Sequence, residues 1–188
     1  MTITYIDKGP GLQEAITAAG HYLTCTQSLD EDLDPIDLWE SDDDVAVQAI
    51  IDGYTVQMCR KRKCSEICLF AKEKRDALYT DISKVESSLW QQKHLEAITY
   101  TDTQDPLDAP LLSAEATFRG CSLADLCALV IENHCACVEV EAQMSGIHGL
   151  HKDALKLLLT FEDILAYDYS AGWDILPQQN MAMHNMQM

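Results

Sequence analysis

Residues 122 to 159 carry a helical pattern so long that the rest of the chain must organise around it. Ser122 and, three residues on, Asp125 form a capping box, the hydroxyl and carboxylate answering first-turn amide donors. Polar and apolar groups then recur at alternating four- and three-residue steps: Leu126, Val130, Asn133, Cys137, Val140, Met144, Ile147, His151, Ala154 and Leu158. Such spacing averages about 3.5 residues, the period that keeps two supercoiled helices in register. A helix over 123–159 with this seam needs a partner, either elsewhere in the chain as a bundle core or in a second copy as an oligomer interface. Asn133 within the seam would specify register. Gly146 and Gly149 predict a bend or break, since each costs about 1 kcal/mol against alanine inside a helix.

With 188 residues and 47% hydrophobic content, the chain can bury a core as one domain or two small ones. No stretch reaches the roughly 18 to 20 unbroken apolar residues of a membrane span, and the start lacks the charged head and apolar body of a signal peptide. A cytoplasmic place of assembly and no membrane partner are therefore expected.

The net charge of -18 is unevenly distributed. Up to Cys59 there are 12 acids against the single Lys8; from Arg60 to Arg75 there are seven bases against two acids; the remainder holds 17 acids and five bases. An acidic surface repels phosphate, so nucleic acid is not an expected partner. The quartet Arg60, Lys61, Arg62 and Lys63 reads as a solvated helix face pairing with this protein's own acids, an electrostatic contact surface.

Seven of the eight cysteines, Cys59, Cys64, Cys68, Cys121, Cys127, Cys135 and Cys137, fall in or beside predicted helices, and reduced thiols acting as small apolar groups are expected. Cys64 and Cys68 lie one turn apart and His148 and His151 share a face, but no C-x-x-C clamp occurs, so neither metal nor cofactor is expected.

Along the chain, residues 1–40 read as a small mixed module: a strand at 2–6, a turn at Gly9 to Gly11, a helix from Leu12 to Ala19 closed by Gly20, and a strand at 21–25. An acidic loop at 30–35 follows, anchored by Leu38 and Trp39. The region 41–101 is helical. Ser41 caps a helix whose face is Val45, Ala49 and Ile50, stopped at Gly53. A helix from about Thr55 to Tyr79 presents Val56, Cys59, Lys63, Ile67, Phe70, Lys74 and Leu78. The box at Ser83 and Glu86 opens a helix to about Tyr100, with Val85, Leu89 and Ala97 inward and Trp90 near the edge. Two prolines and three aspartates mark 102–110 as a linker. The region 111–176 is again helical, with a helix from Leu111 to Arg119 ended by Gly120, the long segment, and a last helix capped at Thr160 running to about Tyr169. The uncharged residues 177–188 form a tail or arm. The expected fold is mainly α, a helical bundle or coiled-coil-like long helices beside the small mixed α/β N-terminal module.

No phosphate-cradling glycine loop, nucleophile elbow or H-E-x-x-H helix is present. His134, His148 and His151 are expected to be structural, and no catalytic residue is assigned.

Three strings carry a resemblance: 41–54, SDDDVAVQAIIDGY; 70–78, FAKEKRDAL; and 108–126, DAPLLSAEATFRGCSLADL. In this order they resemble small bacteriophage tail proteins of the tail-fibre and tail-assembly-associated families. The likeness spans roughly 41–170, and Cys135, Cys137 and the basic quartet depart from it. The resemblance implies a non-enzymatic virion protein of the tail, in its fibre, fibre attachment or baseplate, made in the host cytoplasm and acting as a homo-oligomer with other tail proteins. In that reading Leu126, Val130, Cys137, Val140 and Ile147 form the packing seam, and Arg60, Arg62 and Lys63 face an acidic neighbour. The alternatives are a tail-fibre assembly chaperone absent from the mature particle and a small metal-sensing regulator using Cys64, Cys68 and the histidines.

Overall fold

Gly9 shows how local chemistry starts the first helix. Its φ of 83° is a conformation that glycine adopts freely, and a Cβ there would run into the Leu165 side chain. Asp7 Oδ1 accepts its amide at 2.8 Å, and Pro10 then occupies the first helical turn, where no amide donor is needed.

The computed structural model describes residues 3–29, 35–79 and 84–175. In chain order these form α1 (Pro10–Ala18), β1 (Leu23–Leu29), β2 (Pro35–Ser41), α2 (Asp44–Gly53), α3 (Val56–Leu78), α4 (Lys84–Thr103), α5 (Pro110–Arg119), α6 (Leu123–Leu157) and α7 (Phe161–Ala166), with 3-10 turns at Pro106–Asp108 and Trp173–Ile175. The protein is mostly helical with one small antiparallel sheet, in which Leu23 pairs with Ser41 and Cys25 with Trp39. Two compact units result: 1–69 with 150–169, and 70–149 with 170–188.

In the first unit Leu12, Ile16, Val47, Ile51, Ile67, Leu155 and Ile164 form a closed aliphatic core. Residues 3–6 form no strand, contrary to their alternation. The Gln48 carboxamide substitutes for a neighbouring strand, accepting from Thr4 N at 2.9 Å and donating to Thr4 O, while Tyr5 stacks on Trp39 at 3.9 Å. The expected strand at 21–25 begins only at Leu23 and runs on to Leu29. Ser41 ends β2 rather than capping α2; Asp43 is the cap, accepting from Val45 N and Ala46 N, and the Ser41 hydroxyl donates to Asp44. That cap sets the phase of α2, so Val47 and Ile51 are buried and Val45 is exposed. The acidic loop at 30–34, the box residue Ser83 and the segment 176–188 lie outside the described residues.

In the second unit the expected linker at 102–110 is a tight turn inside a packed structure. α4 continues to Thr103, Pro106–Asp108 makes a 3-10 turn, and Ala109 is buried with Ala97, Leu112, Ala116, Leu126 and Cys127. A smaller cluster joins Ala71, Met144 and Trp173, with Phe70 edge-on to Trp173. Gly120, at φ 67°, ends α5 as expected, and α5 and α6 meet at 110°. At the Ser122 cap the hydroxyl accepts from Asp125 N at 3.0 Å as expected, while the Asp125 carboxylate takes the Ser122 hydroxyl at 2.6 Å and not a backbone amide. α6 is continuous helix through Gly146 and Gly149 and ends at Leu157. α7 begins at the expected Thr160 cap but ends at Ala166, short of Tyr169.

Candidate functional site

The basic quartet lies on α3, and three of its four members are engaged within the first unit. Arg60 Nη2 donates to Leu158 O at 2.6 Å, just beyond the end of α6, and Nη1 to Gln57 Oε1. Arg62 forks onto Glu14 at 2.7 and 3.2 Å and pairs with Glu66. Lys63 donates to Leu165 O in the last turn of α7 and lies over the Tyr169 ring, and burial holds its ammonium below its ordinary value. Lys61 is exposed. Three of the four cations are thus used within the unit, Arg62 on acids and Arg60 and Lys63 on carbonyls, which helix C-termini present to cations. Lys8 does the same for α2, donating to Ile51 O and Tyr54 O. No local sequence signal marks that role.

The seam residues face their own chain. Leu126 and Met144 are buried, Val130, Val140 and Ile147 are partly buried against the clusters of the second unit, and Leu158 packs on the core of the first. Near the end of α6 the buried positions are His151 and Leu155, not Ala154. Leu126 to Met144 is 18 residues, five turns of an unsupercoiled helix at about 3.6 residues per turn.

All eight cysteines are free thiols. Cys64 and Cys68 share a hydrogen bond, and burial raises the Cys68 thiol above its ordinary value. His151 is buried with Nδ1 2.8 Å from the Tyr167 hydroxyl. Among the described residues no three His, Cys, Asp or Glu side chains are placed to hold a metal ion.

The strongest candidate site is a groove in the second unit, about 600 Å³ including its solvent-open side. α4 supplies Trp90 and Lys93, α5 supplies Glu115 and Arg119, and α6 supplies one stripe from Leu126 to Cys137. The stripe recurs every three or four residues, so a single helix face lines the groove. Glu115 holds both cations, with Lys93 Nζ at 2.7 Å and Arg119 Nη1 at 3.0 Å. Burial alone would raise the Glu115 carboxyl, but Lys93 and Arg119 overcome it, and the net shift is downward.

His134, on the same stripe, stacks on His94 with ring centres 3.5 Å apart and planes 14° from parallel. Burial, then the His134 charge, holds His94 below its ordinary value, so the stack favours a neutral ring. Cys137 is pushed up by burial and by Glu141. A thiol so held is a poor nucleophile at neutral pH. Glu141 is itself fixed by Arg75 at 3.0 Å and by the Tyr79 hydroxyl, whose ionisation burial and Glu141 push far up.

One further arrangement fixes the groove wall. Ala109 offers α5 no side-chain cap, yet Glu96 of α4, a buried carboxylate, accepts from Leu111 N at 2.9 Å and Leu112 N at 3.1 Å. A charge from the neighbouring helix thus answers the first-turn donors of α5 and locks Glu115 and Arg119 against Lys93. Sequence reasoning assigned Asn133 and Cys137 to packing and did not single out Trp90, Lys93, Glu115 or Arg119 as a group. The comparisons add no identity: no family model matches the chain, and no similar curated protein or solved structure was found.

Proposed function

We propose that the protein is a non-enzymatic structural component of a bacteriophage tail, made in the host cytoplasm and assembled with other tail subunits through its helices. The resemblance of the three strings at 41–54, 70–78 and 108–126 motivates the class. The observation that carries the assembly role is the number of large apolar side chains left in solvent: Phe118 at 93%, Leu107 at 84%, Leu157 at 78%, Leu159 at 75% and Leu150 at 67% exposure. Leu150 and Leu157 are seven residues apart on α6, one heptad, which suits coiled-coil-like pairing with a second copy or with another subunit's helix. The inward seam from Leu126 to Ile147 then builds the subunit, and this outward pair joins subunits.

Light scattering on the purified protein tests the reading. A trimer or larger ring that Leu150→Lys with Leu157→Lys reduces to monomer supports it, with the circular dichroism unchanged. A monomer that is also absent from purified tails overturns it in favour of an assembly chaperone.

A further inference from the structure

We propose that the groove between α4, α5 and α6 of the second unit binds a small organic carboxylate with a flat apolar body. The site is not part of the assembly reading and stands on four features of its own.

Charge comes first. In a chain of net -18, this groove gathers Lys93 and Arg119 around the single Glu115, leaving one positive charge in excess. That balance suits a monoanion; an amine would meet two cations at the rim. Hydrogen-bonding capacity comes second. Arg119 places one nitrogen on Glu115, and Lys93 one of its three protons, so donors remain on both groups. The Trp90 indole N–H and the Asn133 carboxamide, both in the lining, make no hydrogen bond among the described residues.

Shape is the third feature. Leu126, Leu129 and Val130 give an aliphatic floor and Trp90 an aromatic wall. Small-molecule sites pair an apolar lining with a few converging polar groups, and this groove carries both. Rigidity is the fourth. Glu115 clamps both cations, and Glu96 anchors the start of α5, so the recognising groups are in place before a ligand arrives.

The test uses the full chain and indole-3-acetate as probe. The three tryptophans give three indole N–H resonances, and Trp90→Phe assigns the one in the groove. The expected result is a saturable shift of the Trp90 resonance by indole-3-acetate, with the Trp39 and Trp173 resonances still. Tryptamine, the same ring bearing an amine, produces no saturable shift. Arg119→Gln weakens the carboxylate about tenfold, the loss of one charge-assisted hydrogen bond, and Lys93→Gln acts in the same direction should the first variant fold poorly. The proposal is overturned by no saturable shift up to about 10 mM probe, by equal binding of tryptamine, or by undiminished binding in a folded Arg119→Gln or Lys93→Gln chain.

Discussion

The two units use charge at helix ends in opposite senses. In the first, cations reach carbonyl ends: Lys8 at α2, Arg60 beyond α6 and Lys63 at α7. In the second, an anion reaches an amide end, Glu96 at the start of α5. Both arrangements follow the helix dipole, positive at the N-terminus and negative at the C-terminus. The difference lies in what is left over. Arg60 and Lys63 hold backbone carbonyls and Arg62 an acid of the first unit, whereas Lys93 and Arg119 line a groove with donors to spare. The run that stands out in sequence is mostly engaged within its own unit, and the pair that lines a cavity is separated by 26 positions.

The sharpest way to break this comparison is to remove the anionic cap. Glu96→Ala leaves the amides of Leu111 and Leu112, the latter buried, without their acceptor and is expected to cost about 2 to 3 kcal/mol in urea unfolding. Glu96→Gln, which keeps an acceptor, should cost less than half as much. If alanine is tolerated, the cap does not organise the second unit.

A smaller effect is expected at the quartet. Arg60→Met should lose about 1.5 kcal/mol by uncapping α6, while Lys61→Met, on an exposed side chain, changes stability by less than about 0.5 kcal/mol. Equal and negligible losses would return the quartet to the role of a contact surface.

The smallest effect is a pH dependence in the second unit. Because burial and the His134 charge depress His94, the unfolded chain takes up a proton at higher pH than the folded one. The stability His94 contributes is present above the ordinary histidine value of about 6.5 and is lost as pH falls through the lower folded value. Lowering pH also relieves repulsion in an acidic chain, so the informative quantity is a difference. His94→Phe, which keeps a ring against His134, should lose less stability than the wild type between pH 7.5 and pH 5 when urea midpoints are compared; parallel curves would remove His94 from the account.

Much of the fold was legible because its signals are local. Ser122 with Asp125, Thr160 with Asp163 and Gly120 each act within a turn, and each forms where the sequence places it. Misreadings arose where a remote group overrode local pattern. The alternation at residues 3–6 satisfies its backbone through Gln48 instead of a third strand. The prolines and aspartates at 102–110 look like a linker, but Ala109 is buried beneath α4 and the turn belongs to a packed hairpin. On α6, a seam extrapolated at 3.5 residues per turn slips against a straight helix by about 20° per heptad, which is why Leu155 is buried where Ala154 was expected. For the groove, the sequence placed Asn133 and Cys137 on the correct face of α6 without showing what stands opposite.

What the sequence by itself determined is the helical character of the chain, the end of α5 at Gly120, the starts of α6 and α7 at their caps, and the inward face of much of α6. These depend on interactions between residues a few positions apart. Tertiary structure alone decided which charges finish helices and which remain at a surface. Arg60 and Leu158 are 98 positions apart, Lys63 and Leu165 are 102, and Glu96 and Leu112 are 16. A carboxylate or guanidinium has no periodicity that reveals its partner; only folding brings the unpaired amides and carbonyls of a helix end within its reach.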